Sequence, residues 1–75
     1  MIMKKEEARI LVEAMIASVI PYVPGLPGHS EEIPSDNDKA MISLFLKLCK
    51  KAKYVPKNDW EHNIIADCYA ILRNN

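Results

Sequence analysis

The chain has 75 residues, 49% of them hydrophobic, with ten basic side chains against ten acidic ones and a formal net charge of zero. That length holds one domain with one modest core, and the apolar content is too high for a chain kept open by its own charge. The balance excludes a global field that would steer the molecule to nucleic acid or an anionic membrane, so any electrostatic role must be local.

At the start of the chain, Lys4 and Lys5 precede an apolar run from Ile10 to Ile20, the order of charges seen in a secretory leader. Glu6, Glu7, Arg9 and Glu13 interrupt both parts of that pattern and also break up a membrane span, which needs about 20 apolar residues. Cys49 and Cys68 are too few for the disulfide framework of small secreted domains, so they are read as reduced and the chain as cytoplasmic.

Residues 4–20 form the first predicted helix. Ala8, Leu11, Val12, Met15, Ile16 and Val19 recur at steps of three and four and make one core-facing stripe. Ile10, Ala14 and Ala17 make a second, shallower row on the other side, beside Glu6, Glu13 and Ser18. Pro21 should end this helix, because its ring cannot continue the hydrogen-bond ladder and it restricts the residue before it.

Residues 21–35 hold four of the five prolines and both glycines. No regular element is expected there, yet Tyr22, Val23, Leu26 and Ile33 are apolar, which predicts an ordered loop packed on the helices. Pro21, Pro24 and Pro27 also have the spacing of a polyproline II ligand, but packing within the chain is the favoured role.

The second helix is expected over 36–53, capped by Ser35 with Asp36 and Asp38 at the positive end of its dipole. Met41, Ile42, Leu44, Phe45, Leu46, Leu48, Cys49 and Ala52 cover more than half its circumference, which places it at the centre of a bundle. Tyr54 to Lys57 form a turn. The third helix, over 59–73, begins after a capping box of Asn58 and Glu61 and carries Trp60, Ile64, Cys68 and Ile71 as its core stripe, widened by Ile65 and Leu72. The fold expected is all-α: a single-domain, small three-helix bundle with a Pro-rich ordered loop between the first and second helices.

No residue set points to catalysis. The two cysteines and His29 and His62 lack the close pair spacing of zinc ligands, and both cysteines lie on apolar stripes. Glu31 and Glu32 beside His29 are paired carboxylates, but adjacent side chains diverge and the sequence shows no pocket for them, and Gly25 and Gly28 do not form a phosphate loop. No catalytic, cofactor or metal residue is therefore assigned. The function favoured is non-enzymatic binding of another macromolecule, chiefly a protein, as in small regulatory or inhibitory accessory proteins of bacteria and their viruses.

The candidate protein interface is Ile10, Ala14, Ala17, Tyr22 and Leu26, with a homodimer as one way to use it. The alternative is a nucleic-acid module whose Lys47, Lys50, Lys51, Lys53 and Lys57 hold phosphates while Tyr54 stacks on a base. The carboxylates Asp59, Glu61 and Asp67 on the third helix count against it as a recognition helix. A small enzyme or metal site ranks third.

Overall fold

The structure, a computed structural model, describes residues 3–26 and 33–73. They form helix α1 (Lys5–Ser18), a short 3-10 turn (Ile20–Tyr22), helix α2 (Asp36–Ala52) and helix α3 (Asp59–Arg73). Among the described residues the fold is thus all-α, with three α-helices. The sequence expectations for Pro27, Gly28, His29, Glu31 and Glu32 lie outside the described residues.

α1 begins where the Glu7 carboxylate accepts from the Lys4 amide, at 3.2 Å. It ends at Ser18, two residues short of the expected boundary, and Pro21 then sits inside the 3-10 turn at a position that tolerates a missing N–H. α2 has a reciprocal cap: the Asp38 amide donates to Ser35 Oγ at 3.1 Å, and the Ser35 amide donates to Asp38 Oδ2 at 2.9 Å. Its far end is a Schellman turn, with the Lys53 amide donating to the Lys50 carbonyl and the Tyr54 amide to the Cys49 carbonyl. Lys53 therefore adopts the left-handed conformation, at φ 50° and ψ 47°, in the position that usually belongs to glycine.

α2 packs against both other helices, while α1 and α3 meet chiefly through it. The core is built from Ala8, Val12 and Ile16 of α1, Ile42, Phe45, Leu46, Leu48, Cys49 and Ala52 of α2, and Ile64 and Cys68 of α3. Ile20, Val23 and Leu26 join it from the segment after α1. Gly25 makes that docking possible. Its φ is +94°, and a Cβ there would stand 3.1 Å from Pro34 Cγ and 3.4 Å from Ile71 Cδ1. Val23 and Leu26 thus pack into the core, whereas Tyr22 and Ile33, expected to pack with them, are exposed; Pro21 in the 3-10 turn and Gly25 interrupt a polyproline helix over the described residues.

Several residues assigned to the core by periodicity are exposed. Trp60, expected in the α3 core stripe, is 51% exposed, and Ile33 lies out in solvent. The buried face of α3 is rotated towards Glu61 and Leu72, because Glu61 turns inward to accept hydrogen bonds from the α2–α3 turn. Leu44 is 53% exposed on the solvent side of α2, and Leu11 and Val19 mark the edges of the α1 stripe instead of its centre. Three helices bury a narrower arc of each than the sequence pattern suggested.

Candidate functional site

Two surfaces carry the residues singled out in the sequence. The first is the outer face of α1. Ile10 is 58% exposed, Ala14 and Ala17 are exposed beside it, and Leu11 extends the same face. The Ser18 hydroxyl donates to the Ala14 carbonyl at 2.7 Å, which turns the one neutral polar side chain near the row back onto its own helix. Tyr22 is exposed beyond the end of α1. Leu26, also expected at this interface, is fully buried in the core, because the turn at Gly25 directs the chain across the bundle. Val23 is buried likewise, so neither covers the α1 row.

The second surface is the lysine edge of α2 and the turn after it. Lys47, Lys50, Lys51 and Lys53 are exposed and make no side-chain hydrogen bond or ion pair among the described residues. Lys57 and Tyr54 differ. The Lys57 ammonium donates to Glu13 Oε2 on α1 at 3.1 Å, and Arg9 NH1 donates to the other oxygen of the same carboxylate at 2.6 Å. Lys57, through its hydrogen bond first, holds the Glu13 carboxyl below its ordinary value.

The Tyr54 hydroxyl donates to Glu61 Oε1 at 2.7 Å, and the Lys57 amide donates to the same oxygen at 3.0 Å. Asn58 Oδ1 in turn accepts from the Glu61 amide at 2.9 Å. The expected capping box therefore reaches one residue further back, to Lys57, and takes in Tyr54 as well. Burial first, and then the Glu61 carboxylate, push the Tyr54 phenol far above its ordinary value, because both disfavour a phenolate there. Sequence reasoning missed Glu61 as the organiser of this turn. Its signal was a carboxylate seven residues after a tyrosine and three after an asparagine.

Between α2 and α3 the lysine edge borders an open depression of about 270 Å³, lined by Cys49, Lys50, Lys53, Tyr54, Pro56, Ile65 and Tyr69. Cys49 and Cys68 are not joined to each other and are both buried. Desolvation pushes the Cys49 thiol up to about 11 and, with smaller contributions from Cys49 and Asp67, the Cys68 thiol up to about 12, which disfavours the thiolate of each. Among the described residues no group of three or more His, Cys, Asp or Glu side chains is placed to hold a metal ion, and no helix is long and apolar enough to cross a membrane.

Compared with known proteins, the chain matches no family model, no curated protein and no solved structure.

Proposed function

We propose that this is a non-enzymatic protein that works by binding another protein chain along the outer face of α1. The observation that carries the reading is the exposed row Ile10, Ala14 and Ala17, widened by Leu11 and left uncovered by Val23 and Leu26, which are spent in the core. Small residues let a second helix approach closely, and Glu6 and Glu13 supply a charged margin around an uncharged centre. A helix of the partner laid along this row buries it with no rearrangement of the bundle. Pairing with a second copy is the simplest closed form of such a contact.

The test is sedimentation equilibrium at tens of micromolar together with affinity capture, each on the native protein and on Ala14→Glu. The variant places a carboxylate on an exposed helix position and should fold. A native dimer that Ala14→Glu splits identifies the partner as a second copy, and a native monomer that loses a captured protein on substitution identifies a different chain. A monomer whose capture is unchanged by Ala14→Glu removes the row from any binding role.

The nucleic-acid reading ranks second. Lys47, Lys50, Lys51 and Lys53, unpaired among the described residues, favour it, whereas the engagement of Lys57 by Glu13 and of Tyr54 by Glu61 takes away a phosphate contact and a freely presented ring.

A further inference from the structure

We infer that the depression between α2 and α3 is a docking site for an acidic peptide segment that inserts one large apolar side chain between Tyr54 and Tyr69 while its carboxylates meet Lys50, Lys53 and Lys47. This surface is separate from the α1 row, and the inference stands whether or not that row has a partner.

Charge is the first argument. The molecule is neutral as a whole, yet no carboxylate lines this depression, and the lysines at its rim have no partner among the described residues. Two carboxylates of the neighbouring elements are already engaged: Glu13 by Lys57 and Arg9, and the buried Glu61 by the Tyr54 hydroxyl and the Lys57 amide. On the helical repeat Arg73 lies one turn beyond Tyr69 and Lys47 one turn before Lys50, so both extend the basic rim along the pair of helices. The negative end of the α2 dipole favours cations here, but it gives no reason for an apolar hollow to open between them.

The lining is the second argument. Cys49, Ile65 and Pro56 are apolar, and two tyrosine rings flank them. Tyr54 spends its one hydroxyl proton on Glu61, so it offers ring surface and no free donor. Such a hollow suits an aliphatic or aromatic side chain. A nucleobase would need donors and acceptors to read its edges or open rings to lie flat on, and of the two tyrosines only Tyr69 is exposed enough to offer either.

The third argument is local conformation. Lys53 holds a left-handed backbone where glycine would be unstrained, and it does so at the rim of the depression. The strained backbone thus occurs at a position whose cationic side chain lines the depression, where the unstrained glycine would supply none.

The experiment is fluorescence anisotropy with a labelled peptide in which glutamates flank a single phenylalanine, run at low ionic strength against the same peptide with alanine for phenylalanine and against an oligo-dT of matched charge. The phenylalanine peptide should bind, the alanine version about tenfold more weakly, and the oligonucleotide more weakly than the peptide. Lys50→Glu with Lys53→Glu should weaken binding by about tenfold or more, Lys50→Gln with Lys53→Gln by less, and Tyr69→Ala should remove the preference for phenylalanine. Ala14→Glu should leave the affinity unchanged, which separates this site from the α1 row. Circular dichroism confirms that each variant is folded. The inference is overturned by absence of binding, by equal binding of the two peptides, by tighter binding of the oligonucleotide, or by folded double variants that bind as the native protein does.

Discussion

Trp60 shows how little a residue type says about its place in a small bundle. Half exposed at the first turn of α3, it should tolerate Trp60→Ala at a cost under about 1 kcal/mol, whereas Phe45→Ala in the core should cost about 3–5 kcal/mol. Urea melts of the two variants check the contrast, and a Trp60 variant that melts like the Phe45 variant would place the indole inside. The cysteines sit at the opposite extreme. With both thiols pushed up to about 11 and about 12, Ellman's reagent at mildly alkaline pH should label neither in the folded protein and both in denaturant. Fast labelling of either in native conditions would show that α2 and α3 part readily.

At the scale of elements, the α2–α3 hairpin depends on two unusual fittings. Lys53 takes a left-handed conformation that costs a residue with a Cβ about 1–2 kcal/mol, and a glycine returns part of that gain through the entropy of the unfolded chain. Lys53→Gly should therefore raise stability by about 0.5–1 kcal/mol, read as a higher urea midpoint with unchanged slope. Glu61 is the other fitting. Glu61→Ala leaves the Tyr54 hydroxyl and the Lys57 amide without their acceptor and should cost about 2–3 kcal/mol, while Glu61→Gln keeps an acceptor oxygen and should recover part of the loss. Equal melts for the two variants would mean that the carboxylate does not organise the turn.

For the whole molecule, the pH dependence of stability follows from groups held protonated by the fold. Tyr54, Cys49 and Cys68 all titrate higher folded than unfolded, so the folded state binds more protons once the pH passes the unfolded thiol value of 9.0. Their contribution is complete below that pH and is lost as the pH rises through about 11 and about 12. Thermal melts should hold steady from neutral pH to about 9 and then fall steeply. On the acid side, Glu13 titrates low because of Lys57 and Arg9, so its contribution is present above the ordinary carboxylate value of 4.5 and disappears as the pH falls through its lowered value. The group is exposed, so this acid limb should be shallow and should weaken further in salt.

The sequence by itself determined the three helices, because caps such as Ser35 with Asp38, breakers such as Pro21, and apolar steps of three and four are properties of neighbouring residues. It also showed that α2 must be central, since only a helix with neighbours on two sides can use so wide an apolar face. It marked the outer row of α1 as well, because a second apolar row opposite a complete core stripe shows in the helical repeat alone. Which arc of each helix is buried was decided by tertiary structure. Glu61 drew α3 round by accepting from Tyr54 and Lys57, leaving Trp60 outside, and Gly25 sent Leu26 into the core instead of onto the surface. Tertiary structure also set the depression lined by Tyr54 and Tyr69 and paired Lys57 with Glu13. Lys57 with Glu13 and Gly25 with Ile71 are meetings of groups distant in sequence, which no local pattern encodes, whereas Glu61 lies within seven residues of Tyr54 and Lys57 and only the choice of its inward rotamer was left to the packing.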